Sequence, residues 1–199
     1  MSDLATRFIQ PSQPSAGRRL AVPSAVLGML LFVVCEVMFF GGLISAYLVG
    51  SAGQSWPPAD QPRLPVMATA FNTIVLLFSG WFMYRASLPP RNLKDMSAIS
   101  NPLTITIGLG IFFILLQGYE WVRLIQFGLT IQSSTYGSFF YLIVGIHALH
   151  VLAALAVLMY VRVRLKQGRL TNGAFVASQI FWYFVVALWP VLYVLVYLS

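Results

Sequence analysis

Five stretches of this sequence, 22–50, 66–84, 102–122, 137–161 and 174–198, run on with at most one charged side chain each. A hydrocarbon core of about 30 Å takes an apolar helix of about 20 residues, and all five are near or above that length. The fold class they imply is all-α: an integral membrane bundle of five transmembrane helices. No internal repeat, soluble domain or barrel-like alternation interrupts the pattern.

Composition agrees. Hydrophobic residues make up 59% of the chain and charged ones 9%, against about 25% charged in an ordinary soluble domain. The single cysteine, Cys35, excludes an internal disulfide and argues against a dinuclear copper site. The absence of a Cys-x-x-Cys-His run argues against covalently attached haem. The formal charge of +7 comes from basic residues scattered between the spans. There they serve as a topology signal, so no nucleic-acid partner is expected.

The spans divide the chain into a polar arm, 1–21, and one membrane domain, 22–199. The arm holds Arg7, Arg18 and Arg19 among Ser, Gln and Pro, with too little apolar surface to pack alone. The first apolar run is too long for a signal-peptide core, so an uncleaved N-terminus is expected. Trp56-Pro57-Pro58 and Pro62 mark the first loop, and Trp56 suits the membrane interface. Pro89-Pro90 and Asn101-Pro102 bound the second loop, with Pro102 placed in the first turn of the third helix.

Loop charges choose the orientation. The arm, the second loop and the fourth loop carry ten Lys and Arg, whereas the other two loops carry only Arg63 and Arg123. Ten against two places the N-terminus in the cytoplasm and the C-terminus outside.

Four ionisable residues lie within the apolar runs. Taking Val22, Pro102 and Arg162 as inner ends, Glu36 lies ~21 Å deep, His150 ~18 Å, His147 ~22 Å and Glu120 ~27 Å. An unpaired charge at mid-depth costs at least ~3 kcal/mol, so Glu36 is protonated, partnered or turned to a protein-lined cavity. It shares a level with His147 and His150, which sit three apart on one face and can meet a carboxylate from a neighbouring helix. A protonated carboxyl that only fixes helix packing is the alternative. Glu120 has Arg123 three residues on, the spacing of a local structural ion pair. Two histidines at i and i+3 cannot clamp opposite faces of a porphyrin, and with Glu36 they fall short of a zinc set. No metal or cofactor is therefore expected on this chain.

Five pieces in order then point to a family. They are Cys35-Glu36-Val37-Met38-Phe39-Phe40-Gly41-Gly42 with Trp56-Pro57-Pro58, Asn72-Thr73 with Leu76-Leu77-Phe78-Ser79-Gly80, Gln117-Gly118-Tyr119-Glu120-Trp121, Tyr136-Gly137-Ser138-Phe139-Phe140, and Gly145-Ile146-His147-Ala148-Leu149-His150-Val151. Together they resemble subunit III of the haem-copper oxygen reductases, the cytochrome c and quinol oxidases, in its five-span short form. One departure stands at the end. Where the family has Trp-His-Phe-Val-Asp, this chain reads Trp182-Tyr183-Phe184-Val185-Val186.

The resemblance implies a subunit that binds no haem or copper and packs beside catalytic subunit I, where those groups reside. It implies bound phospholipid, support of proton uptake and turnover stability, and a home in the bacterial cytoplasmic membrane. It makes Glu36, His147 and His150 a polar cluster lining a lipid cleft. Arg162 and Arg164 become candidates for lipid headgroups, with a plain topology signal as the alternative. The rivals are an accessory subunit of a nitric oxide reductase, a small proton or solute transporter using Glu36 and the histidines as a relay, and a haem-binding cytochrome. Whether cytochrome c or quinol donates electrons is not encoded here.

The orientation gives the first prediction. A reporter that works only in the cytoplasm stays silent when fused at Ser199, and a strong signal there overturns the topology.

Overall fold

The computed structural model describes residues 23–52, 64–88 and 97–198. The arm with Arg7, Arg18 and Arg19, Val22, the Trp56-Pro57-Pro58 loop, Arg63, Pro89-Pro90, Arg91, Lys94 and Ser199 lie outside the described residues. Five helices account for nearly everything else: α1 Ser24–Ser51, α2 Val66–Ser87, α3 Ser97–Gln126, α4 Thr135–Lys166 and α5 Asn172–Tyr197. Each is long and apolar enough to cross a membrane, and the chain is an all-α five-helix membrane bundle.

The sequence punctuates these helices where they end. Ser134 accepts a hydrogen bond from the Gly137 amide and Thr171 from the Ala174 amide, capping α4 and α5. Gly128 and Gly168 take φ of 90° and 64° just past α3 and α4. The next amides, Leu129 and Arg169, then reach back 3.0 Å to the Leu124 and Arg164 carbonyls. That reversal needs the left-handed backbone glycine tolerates.

Two helices depart most from their expected bounds. The third starts at Ser97, so Pro102 lies inside it and not in its first turn. The cost is small because Pro102 forfeits only one hydrogen bond, to the Ala98 carbonyl, near an end where carbonyls of the first turn are just being engaged. The fourth runs on to Lys166, taking Arg162 and Arg164 into the helix. Basic side chains in a last turn are favoured by the helix dipole, and Gly168 supplies the stop. A further proline, Pro190, lies within α5 and removes the hydrogen bond to the Val186 carbonyl.

Packing follows a simple plan. Helix α2 lies against α3 and α5, and α4 closes the ring against the same two. Helix α1 rests in the groove between α4 and α5 and buries only Val26, Phe40 and Tyr47. The rest of its surface carries Leu31, Val34, Val37, Met38 and Val49 outward, as expected for a face turned to lipid or another subunit. The core is aromatic, with Phe113, Trp182 and Trp189 fully enclosed.

Gly110 makes the closest approach in this core. A Cβ there would stand 2.6 Å from Trp182 Cη2 and 2.7 Å from Leu155 Cδ2, so α3, α4 and α5 meet over a missing methyl. Gly110→Val should destabilise the bundle by about 1–3 kcal/mol through overpacking. Gly108→Ala, where nothing lies within 4 Å, should be neutral. Thermal inactivation of the two variants in detergent checks the contrast.

Candidate functional site

The carboxylate of α1 and the second histidine of α4 meet where their depths predict. Glu36 Oε2 stands 3.0 Å from His150 Nε2, and both side chains are largely enclosed. On its other side His150 Nδ1 lies 2.8 Å from the Ile146 carbonyl. A carbonyl only accepts, so Nδ1 carries a hydrogen and neutral His150 presents a lone pair at Nε2. The atoms are close without hydrogen-bond alignment, because Glu36 Oε2 is buried and lacks an aligned partner.

Aromatic rings wall this pair. The His150 ring meets Phe40 at 5.5 Å, and Phe181 and Phe184 at 6.4 Å each, all edge to face. Such surroundings exclude water and strengthen whatever charge separation the pair carries.

His147 does not join the pair, which corrects the three-residue cluster expected from spacing. Three residues turn an α-helix by 300°, so the two rings point about 60° apart. That angle sends His150 to α1 and His147 into the bundle. There the His147 ring is wholly buried and stacks on Trp189 at 5.0 Å with an interplanar angle of 25°, with Phe113 edge-on at 6.4 Å. Neither ring nitrogen has a hydrogen-bond partner.

Around Trp189 a polar network ties three helices together. Trp189 Nε1 donates to Thr73 Oγ1 at 2.9 Å, and Thr73 itself donates to the Thr69 carbonyl at 2.8 Å. Asn72 Nδ2 donates to the Phe113 carbonyl at 3.2 Å and to Gln117 Oε1 at 3.4 Å. Gln117 Nε2 in turn donates to Tyr197 Oη at 3.1 Å. In the sequence Asn72, Thr73 and Gln117 stand out only as family motif, and nothing marks Trp189 or Tyr197 as their partners. The available signal was the placing of Thr69, Asn72, Thr73 and Ser79 on one side of the helix, a polar stripe in an apolar run.

The remaining candidates separate. Glu120 Oε1 is 3.8 Å from Arg123 Nη1, one turn apart on α3. Arg164 Nε donates to Tyr160 Oη at 2.8 Å and its guanidinium lies over the same ring. Arg162, two residues earlier, projects from nearly the opposite side of α4, and its buried Nε has no partner. The two arginines therefore cannot share one headgroup. Tyr183, at the position of the family's histidine, keeps a buried hydroxyl without a partner. Val186, at the position of its aspartate, packs in the core against Gly80, where a Cβ would stand 3.1 Å from Val186 Cγ1.

The two histidines predict opposite responses. His147→Phe removes two unpaired buried nitrogens while keeping the stack on Trp189, so stability should hold or rise by up to about 1 kcal/mol. His150→Phe leaves the Glu36 carboxyl without its neighbour and should cost about 1–3 kcal/mol. Paired thermal melts of the two variants decide this.

The sequence of the bundle matches known proteins along most of its length. The family model described as cytochrome c oxidase subunit III covers residues 18–199. A cytochrome c oxidase subunit 3 from Synechocystis sp. is 34% identical over 178 residues, 87% of this chain and 75% of that protein. A probable cytochrome c oxidase subunit 3 from Mycobacterium leprae is 34% identical over 176 residues, 86% of each chain. The subunit 3 of Phoca vitulina is 37% identical over 182 residues, 85% of this chain and 67% of that one. Neither nitric oxide reductase nor a transporter is favoured by these relatives. The chain belongs to the cytochrome c oxidase subunit III family, as subunit III of a haem-copper terminal oxidase, and is an integral protein of the bacterial inner membrane.

Proposed function

We propose that this chain is a non-catalytic part of its oxidase complex. In this reading it packs beside subunit I, whose haem and copper reduce oxygen to water, and binds neither group itself. The observation that carries this is the divergence of its histidines. His150 faces Glu36 while His147 lies flat on Trp189, so no common point is open to both as ligands. Nor does any group of three or more His, Cys, Asp or Glu among the described residues come together as a metal site. The donor set does not fit haem or copper, and no redox step passes through it.

The working part is the Glu36–His150 contact on the seam between α1 and the rest of the bundle. The contact sets a carboxyl beside an imidazole nitrogen between two helices, and the sparse packing of α1 leaves its rim to phospholipid and to a neighbouring subunit. That suits a chain that steadies subunit I, keeps lipid in place and supports proton uptake during turnover. The ten-to-two loop bias favours a cytoplasmic N-terminus for this arrangement.

Glu36→Gln preserves shape while removing the ionisable carboxyl beside His150. In the purified complex, the haem spectrum should be unchanged and inactivation during turnover several-fold faster, or the retained phospholipid altered. Loss of haem from the variant complex overturns the non-catalytic reading.

A further inference from the structure

The seam between α3 and α4, away from Glu36, carries two hollows in line. At the basic end of the bundle lies a polar hollow of about 300 Å³, lined by Ser97, Ser100 and Asn101 of α3 and by Leu165 and Lys166 of α4. Deeper along the same seam is an apolar one of about 210 Å³, lined by Ile111, Ile114 and Leu115 of α3 and by Leu152, Leu155 and Met159 of α4. From Ser100 to Ile111 is roughly 16 Å along the axis.

Helical spacing makes these one surface. On α3, residues 97, 100, 104, 108, 111 and 115 recur at steps of three and four, and on α4 so do 152, 155, 159, 162 and 166. Between the hollows the α3 side is floored by Thr104 and Gly108, both exposed. The Thr104 hydroxyl is turned back to the Ser100 carbonyl at 2.7 Å, and a Cβ on Gly108 would meet nothing within 4 Å. No side chain from α3 therefore bars the way from the polar hollow to the apolar one.

We infer that this seam binds an anionic glycerophospholipid, with its phosphate at the Lys166 end and an acyl chain in the apolar slot. Charge complementarity carries the choice of occupant. Lys166 lines the polar hollow, and Arg162, one turn earlier on the same α4 face, has a buried Nε without a partner. A slot walled only by aliphatic side chains at mid-membrane takes a hydrocarbon chain without desolvating anything polar. Arg164 takes no part, being on the other side of α4 and bonded to Tyr160. The site goes beyond the proposed role of Glu36 and does not rest on it.

The test uses the intact oxidase complex in phosphatidylcholine nanodiscs containing a minor fraction of phosphatidylglycerol with a photoreactive acyl chain. Mass spectrometry of the peptides then maps the label. Labelling should concentrate on 111–115 and 152–159. Gly108→Trp, which fills the open floor, and the double variant Arg162→Gln with Lys166→Gln should each lower it by about fivefold or more. Unchanged labelling in both variants overturns the site, and equal labelling by photoreactive phosphatidylcholine overturns its preference for an anion. Absence of label on the wild-type seam overturns it also, since a helix of a neighbouring subunit then covers the groove. The haem spectrum and subunit content of each preparation show that the complex is intact, which separates failure of this site from failure of the oxidase reading.

Discussion

Inside a hydrocarbon layer a polar side chain has no solvent to return to, so an amide, hydroxyl or ring nitrogen is met by the protein itself or goes unmet at a cost in free energy. The arrangement of α2, α3 and α5 depends on that rule. Trp189 donates to Thr73, Asn72 to Gln117 and to the Phe113 backbone, and Gln117 to Tyr197. These bonds fix depth and rotation, which apolar packing alone leaves loosely specified because lipid is as good a neighbour for leucine as another leucine.

The Glu36–His150 contact and the His147–Trp189 stack show two solutions to the same problem on one helix. His150 is met by a carboxylate and by its own backbone. His147 is met by a ring face, which satisfies packing and leaves both nitrogens unanswered. A histidine kept in so poor a polar environment implies a contribution other than stability, and its stack on Trp189 couples α4 to the polar network without entering it.

Much of this was legible in the sequence, and for physical reasons. Run length gave five helices, because span length is set by membrane thickness. Rise per residue put Glu36 level with the histidines, because depth follows position along a straight helix. Azimuth was not legible from spacing alone: residues 147 and 150 share a broad face, yet 60° is enough to send them to different neighbours. The same limit hid the separation of Arg162 from Arg164. Helix ends were read too conservatively at Pro102 and Val161, since proline near an N-terminus and arginine near a C-terminus both belong to helices. Trp189 and Tyr197 were missed because an aromatic in an apolar run gives no sign of whether its polar edge faces protein or lipid.

Helix α1 buries three residues, and both helices on which it rests come later in the chain. It is thus made before either of the helices it rests on. At about 5–20 residues per second, the interval between synthesis of Glu36 and of His150 is on the order of 10 s. Throughout that time the Glu36 carboxyl sits in or near the bilayer without the ring that later stands beside it. Assembly of this subunit therefore has a waiting stage, in which the one carboxyl of α1 is without its later neighbour.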